Sequence, residues 1–130
     1  MATRSTIGMI QEDGTTIRSV YCHWDGYPDG VGATLAEYYT DTATIDRLLD
    51  LGDLSVLDES IGQKHDFENR PQGVSSFYHR DRDESWGDTQ ALVHADRREW
   101  LGFRERSWCE YGYLWDGQRW NTYKIEATNA

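Results

Sequence analysis

The sequence contains few cysteines and prolines, and it has no long apolar run. Its 130 residues include two Cys and two Pro. Two cysteines, Cys22 and Cys109, exclude a disulfide-stabilised scaffold and a zinc site built from four cysteines. No stretch approaches the roughly 18–20 apolar residues that span a bilayer, and the first ten residues lack the pattern of a signal peptide. We therefore expect a single reduced domain over residues 1–130 that works in the cytoplasm.

Positive charge is also scarce. The chain has 13 basic and 23 acidic residues, which gives a formal net charge of −10. Because binding to phosphates needs a cationic surface, this balance argues against nucleic acid as a direct partner and against an anionic membrane. The excess is greatest in residues 25–59, which contain nine acids and only Arg47 as a base. Such a segment favours a basic protein partner.

Short-range patterns predict the secondary structure and the fold class. Alternating residues and Asp-Gly turns predict two hairpins and a middle strand, with strands over 6–12, 15–24, 74–79, 108–115 and 118–126. Helical spacing predicts helices over 31–39, 42–51 and 88–101, a short turn over 54–57 and a charged loop over 80–88. Asp41 or Thr40 is expected to cap the second helix, and Asp88 the third. The result is an α+β fold, with an antiparallel sheet of about five strands and two or three helices packed on one face.

The acidic segment predicts a surface for a protein partner. Asp46 and Asp50 are four residues apart, as are Glu37 and Asp41, and helical side chains at this spacing stand about 5–6 Å apart. Such a row approximates nucleic-acid phosphates, which repeat about every 3.4 Å along a strand. The predicted surface consists of five acids, Glu37, Asp41, Asp46, Asp50 and Asp53, and would occupy a cationic nucleic-acid groove of another protein. The alternative is that these acids only keep a small domain soluble.

A second candidate site lies at the end of the second predicted strand. The chain has six Trp, eight Tyr and three Phe, and interfaces favour Tyr and Trp. The predicted pocket combines rings, a His and a carboxylate with two arginines, namely Tyr21, His23, Trp24, Asp25, Tyr27, Arg80 and Arg82. Ring stacking and contacts between arginine and phosphate would hold a nucleotide signal there.

His23 and Asp25 also permit an enzymatic interpretation. They are two residues apart, so both side chains project to one side if the strand continues. A hydrogen-bonded His–carboxylate pair would then serve a small hydrolase, or both residues would bind a metal. The alternative is a buried strand end whose histidine is satisfied by its neighbours. Since the chain has no zinc-protease, P-loop, dinucleotide-binding or nucleophile-elbow motif, we expect no catalytic residue, cofactor or metal.

The segment Ser19–Pro28 (SVYCHWDGYP), followed by Gly30–Gly32 (GVG) and Leu51–Ser55 (LGDLS), resembles a family of small uncharacterised proteins carried by bacteriophages and prophages. The resemblance implies the setting of a viral accessory protein and assigns no residue a role. By analogy with such proteins, the leading hypothesis is a non-enzymatic counter-defence inhibitor of the anti-CRISPR or anti-restriction type. It would bind a host protein with a basic nucleic-acid-binding surface, in the cytoplasm of an infected bacterium. Sequestration of a nucleotide immune signal is the alternative, and the oligomeric state is left open.

Overall fold

The chain has an α+β fold, as predicted. The computed structural model describes residues 2–125. Within them one sheet contains seven strands: β1 (Arg4–Ile10), β2 (Ile17–Cys22), β3 (Leu54–Val56), β4 (Ser76–Phe77), β5 (Leu92–His94), β6 (Cys109–Trp115) and β7 (Trp120–Lys124). The helices are α1 (Ala33–Tyr38), α2 (Thr42–Asp50), α3 (Tyr78–Arg82), α4 (Trp86–Thr89) and α5 (Arg97–Arg106). A π-helical turn, Pro28–Gly32, runs directly into α1. Glu126, the last residue of the predicted strand 118–126, lies outside the described residues.

The sheet is mixed, with the strand order β4-β3-β2-β1-β6-β7 and with β5 paired to the first half of β2. Both predicted hairpins are confirmed, because β1 pairs antiparallel with β2 and β6 with β7. The prediction of a purely antiparallel sheet of about five strands is wrong, because β1 pairs parallel with β6 and β2 parallel with β3. Parallel neighbours need a long crossover connection. The crossover from β2 to β3 contains α1 and α2. The turn motifs of the sequence predict only neighbouring antiparallel strands, so they do not indicate this connection.

Helices cover both faces of the sheet, whereas the sequence predicted one face. In the main core Ile7 packs in one cluster with Leu35 of α1 and Leu48 of α2. Because successive strand residues point to opposite faces, the residues of β1 that alternate with Ile7 face a second, smaller core. There Trp100 of α5 packs in a cluster with Ile17. The sheet is therefore the central layer of the molecule.

Three local predictions also differ from the structure. Residues 54–56 form β3 instead of a turn, and the predicted loop 80–88 contains parts of α3 and α4. Residues 92–94 form β5, so the third predicted helix begins later. Its cap is Asp96, whose side chain accepts a backbone hydrogen bond, and not Asp88. Pairing with β2 keeps residues 92–94 extended, which is a contact distant in sequence.

Two glycines let the Trp100 ring lie directly on the sheet. A Cβ added to Gly8 or Gly112 would lie 3.3 or 3.1 Å from carbons of that ring. Trp100 is completely buried, and its indole N–H donates to Thr6 Oγ1 at 3.1 Å. Since the ring is fixed by this hydrogen bond, any larger residue beneath it must displace the ring.

We predict that Gly112→Ala lowers the free energy of unfolding by about 1–3 kcal/mol, because the added methyl group pushes against Trp100. Gly102→Ala in α5 is the matched control, since its Cβ would have only Arg106 Nη1 nearby, at 4.0 Å. A better helix former there raises the free energy of unfolding by up to about 1 kcal/mol. Chemical denaturation of both variants measures these effects, and a stable Gly112→Ala variant would contradict the packing described.

Candidate functional site

The chain turns sharply after β2, and backbone contacts hold the turn in place. Asp25 has a left-handed φ of 56°, and its carbonyl accepts the Val31 N–H at 2.8 Å. The Gly26 N–H donates to the Thr3 carbonyl at 2.8 Å, and the Gly26 carbonyl accepts the Tyr113 hydroxyl at 2.7 Å. Only glycine fits at position 26, because a Cβ would lie 2.7 Å from the Thr3 carbonyl oxygen. The side chains that follow are therefore presented from a fixed backbone.

Exposed rings and carboxylates follow this turn in residues 25–38, which we call the acidic–aromatic segment. Its exposed polar and aromatic members include Asp25, Tyr27, Asp29, Glu37 and Tyr38. The Tyr27 hydroxyl donates to Asp25 Oδ1 at 3.1 Å, and this hydrogen bond is the main reason that the pKa of Tyr27 is raised. The Tyr38 hydroxyl donates to Glu59 Oε1 at 3.4 Å. No Lys or Arg of residues 2–125 forms an ion pair with the segment's three carboxylates.

Asp46 and Asp50 of α2 both bind Arg18 of β2. Arg18 Nη1 lies 2.8 Å from Asp50 Oδ1, and Arg18 Nη2 contacts Asp46 Oδ1. The arginine comes from a strand that packs beside α2, so the spacing of the two acids along the helix gave no sign of it. One guanidinium therefore offsets part of the charge of both carboxylates and joins the helix to the sheet.

Asp41 and Asp53 serve the fold at the two ends of α2. Asp41 caps the helix, as predicted: its carboxylate accepts the Thr44 N–H at 2.8 Å, and this hydrogen bond lowers the pKa of Asp41. Asp53 is partly buried and accepts the Tyr21 N–H at 2.9 Å. Burial raises the pKa of Asp53 to about 6. The structure thus separates Glu37, on the acidic–aromatic segment, from the other four predicted acids, which bond within the fold.

The aromatic residues predicted at the end of β2 do come together. The Tyr21 hydroxyl lies 2.8 Å from His23 Nδ1, and the His23 ring meets Trp24 edge-on, with 4.8 Å between ring centroids. Trp24 is exposed. His23 thus bonds to Tyr21, while Asp25 bonds to Tyr27. No hydrogen bond joins His23 to Asp25 in the part of the chain that the structure describes.

Arg80 and Arg82 are engaged elsewhere. Arg80 donates to the Ser75 carbonyl at 3.0 Å and pairs with Asp81 at 3.0 Å. The Arg82 guanidinium lies 4.8 Å from the centroid of the Phe67 ring. These contacts organise the loop before β4 and the helix after it. None of the hydrogen bonds, ion pairs and ring contacts of residues 2–125 joins either arginine to the aromatic end of β2.

A buried polar cluster that the sequence did not predict lies on the α5 face of the sheet. Ser19 Oγ is 2.8 Å from His94 Nε2. Arg104 donates to the same Ser19 Oγ from Nε at 3.2 Å and from Nη2 at 3.0 Å, and to the Ser19 carbonyl at 3.1 Å. His94 and Arg104 lie 75 and 85 positions after Ser19 in the chain. No local motif signals such a contact.

A serine beside a histidine has the composition of a nucleophile and its base. Here Ser19 is completely buried and His94 is 3% exposed, so a substrate does not reach the hydroxyl. Arg104 also occupies the lone pairs of Ser19 Oγ with two N–H donors. The cluster therefore joins α5, β2 and β5 and is a structural element.

No protein-family model, no curated protein and no solved structure matches this chain. None of the helices between residues 2 and 125 is long and apolar enough to cross a membrane. The same residues contain no group of three or more His, Cys, Asp or Glu side chains arranged to hold a metal ion.

The buried cluster and Asp53 predict opposite effects of pH on stability. Burial, and then the charge of Arg104, lower the pKa of His94 to about 4. Between pH 4 and 6.5, the ordinary pKa of histidine, the unfolded chain binds more protons at this residue, so His94 makes stability rise with pH. The pKa of Asp53 is raised from 3.8 to about 6. Between those values the folded chain binds more protons, so Asp53 makes stability fall as pH rises.

We predict that the two single variants diverge from the wild type in opposite directions. Relative to the wild type, the free energy of unfolding of Asp53→Asn rises by about 2 kcal/mol from pH 4 to pH 6.5, because the opposing contribution of Asp53 is removed. Relative to the wild type, that of His94→Gln falls by about the same amount over the same range. Urea denaturation at several pH values measures both differences. Parallel pH profiles for all three proteins would contradict the assigned protonation states.

Proposed function

We propose that this chain is a non-enzymatic binding protein that inhibits a host nucleic-acid-handling complex by occupying its cationic groove. The acidic–aromatic segment carries the proposal. It places exposed carboxylates that no cation of residues 2–125 neutralises next to exposed tyrosines. A groove that binds DNA or RNA is lined with Lys and Arg, and a chain with a net charge of −10 is drawn toward it.

The chemistry of the segment suits guanidinium groups. A carboxylate accepts two hydrogen bonds from one arginine, and an aromatic ring beside the carboxylate can stack on the flat face of the same guanidinium group. Asp25 lies beside Tyr27, and Glu59 beside Tyr38. Each pair therefore offers both contacts to one arginine of a partner.

The rigidity of the turn favours binding. The Gly26 and Val31 N–H groups are both bonded to backbone carbonyls at 2.8 Å, and the turn continues without a break into α1. A surface that is already ordered loses less conformational entropy when a partner binds. The segment is therefore prepared for binding before it meets its partner.

The direct contacts lie on the acidic–aromatic segment and not on the exposed side of α2. Asp46 and Asp50 already bind Arg18, and freeing them would cost the protein those contacts. They still add to the long-range field that steers association. Resemblance to phage-encoded proteins supplies the biological setting, an anti-CRISPR or anti-restriction factor in the cytoplasm of an infected bacterium.

We predict that the double variant Asp29→Asn, Glu37→Gln weakens inhibition about tenfold, because two charge-assisted contacts to the partner are lost. The measurement is the displacement of a labelled DNA duplex from purified RNA-guided nucleases and restriction enzymes, at low and at high salt. Inhibition by the wild type should fall steeply as salt rises, since exposed charges are screened.

The matched control is Glu12→Gln, Asp88→Asn, which removes the same amount of charge from exposed positions outside the segment. The control should inhibit almost as well as the wild type. If both double variants lose the same activity, net charge alone acts and the segment has no specific role. If neither loses activity, or if no enzyme tested is inhibited by the wild type, the proposed function is wrong.

A further inference from the structure

A polar cluster on the α5 face of the sheet lies where β1 begins and β2 ends. The pairing of Ser5 with Cys22 and of Thr6 with Tyr21 brings Arg4 next to Tyr21 at the start of β1. Burial raises the pKa of Tyr21 to about 12, and the charge of Arg4 and a hydrogen bond to Arg4 oppose this rise. Burial, and then the charge of Arg4, lower the pKa of His23. The Tyr21 hydroxyl also lies 2.8 Å from His23 Nδ1, so Tyr21 contacts both Arg4 and His23. We call Arg4, Tyr21 and His23 the Arg4 cluster.

The Arg4 cluster is a local region of positive charge in an acidic protein. Neither Arg4 nor the buried Arg104 forms an ion pair with a carboxylate of residues 2–125. Asp53 acts on Arg104 from beyond ion-pair distance. Exposed charges farther away than about 8 Å are largely screened at physiological ionic strength. The Asp53 carboxylate accepts the Tyr21 N–H at 2.9 Å and offsets one of the two arginine charges. One positive charge therefore remains at the cluster to attract an anion.

Two exposed tryptophans flank the cluster. Trp108 has 77% of its surface exposed and Trp24 has 44%. The residue after Trp108 pairs with Arg4 in the sheet, and Trp24 follows His23 at the end of β2. Trp24 therefore follows β2 and Trp108 precedes β6, the two strands that pair with β1 on either side.

Trp108 lies just after the end of α5. Its φ is 67°, a left-handed conformation that is unfavourable for a bulky side chain. The Trp108 N–H donates to the Glu105 carbonyl at 3.0 Å, so this conformation ends α5, at a position where glycine or asparagine is usual. The helix end does not need a large side chain here, and most of the Trp108 ring is in contact with water. The ring is therefore available to stack on a ligand.

We propose that this end of the sheet binds a nucleotide, with the phosphate on Arg4 and His23 and the base stacked on Trp108. An arginine and an imidazole N–H are suitable donors for phosphate. When Tyr21 donates to His23 Nδ1, Nε2 carries the proton and points its donor away from Tyr21. Tyr21 therefore orients the imidazole, while a tryptophan face binds any base by stacking.

This site differs from the pocket that the sequence predicted, because Arg4 replaces Arg80 and Arg82 as the phosphate ligand. It also does not depend on the acidic–aromatic segment. A protein that fails to inhibit any nuclease can still bind a nucleotide here, and the reverse also holds. The two proposals are therefore tested separately.

The test is isothermal titration calorimetry with adenosine monophosphate, with adenosine and inorganic phosphate as separate arms. We expect adenosine monophosphate to bind at least tenfold more tightly than either part alone, because it uses the ring and the phosphate contacts together. Arg4→Gln should weaken binding of adenosine monophosphate about tenfold or more, and adenosine binding much less.

The variant Trp108→Asn separates a binding role from a structural role. Asparagine tolerates a left-handed backbone far better than tryptophan, so the melting temperature should stay the same or rise while nucleotide affinity falls about tenfold or more. Trp86→Ala is the control, since Trp86 is exposed to a similar degree as Trp24 but contacts His79 edge-on, with 5.1 Å between ring centroids. It should leave nucleotide binding unchanged.

The proposal is overturned if adenosine monophosphate and cyclic nucleotides produce no heat of binding. It is also overturned if phosphate alone binds as tightly as adenosine monophosphate, or if Trp108→Asn binds as tightly as the wild type. A lower melting temperature for Trp108→Asn together with unchanged affinity would assign Trp108 to the fold alone.

Discussion

Strand β1 is paired along both edges and covered on both faces, and both proposed binding regions depend on it. Ile7 pairs with Val20 of β2 on one side and with Tyr113 of β6 on the other. The residues Ser5–Met9 are all buried. Thr3, just before this strand, accepts the Gly26 N–H that holds the turn, and the strand begins with Arg4, which lies beside Tyr21. A shift in the register of β1 would therefore move the acidic–aromatic segment and the Arg4 cluster together.

The positions of the arginines decide which acidic residues keep an uncompensated charge at the surface. Arg18 takes up the two carboxylates of α2, and Arg70 pairs with Asp58. Exposed pairs of this kind add only about 0–1 kcal/mol to stability, yet they reduce the charge that the surface offers. Residues 25–38 have no such partner within the described chain, so their charge is retained. The net charge of the chain sets its attraction to basic molecules over a long range. The internal ion pairs set which carboxylates keep their charge at the surface.

Rigid backbone and exposed rings occur together at one end of the sheet. The left-handed residues Asp25 and Trp108 both lie there, next to the exposed rings of Trp24 and Tyr27. A core of this size has room to bury large rings, as the complete burial of Trp100 demonstrates. Both proposals make use of these rings, which the fold leaves exposed on a constrained backbone.

Features that depend on near neighbours could be predicted from the amino-acid sequence alone. The two Asp-Gly hairpins and the Asp41 cap involve residues only a few positions apart, and the periodicity of residues 42–51 marks α2. Residues 21–24 were also predicted to be close, because they lie on one short strand. Local propensity and hydrogen bonding within a few residues are enough for such features.

Features that join distant parts of the chain depend on how the strands and helices pack together. The parallel pairing of β1 with β6 brings Arg4 next to the residue that follows Trp108, and the packing of α2 on the sheet brings Arg18 to Asp46. The contact of Ser19 with His94 and Arg104 has the same origin. These contacts follow from the burial of both faces of the sheet, which no window of the sequence encodes. For that reason the overall charge of the chain follows from its composition, whereas the carboxylates that form no ion pair with Lys or Arg among the described residues could not be predicted.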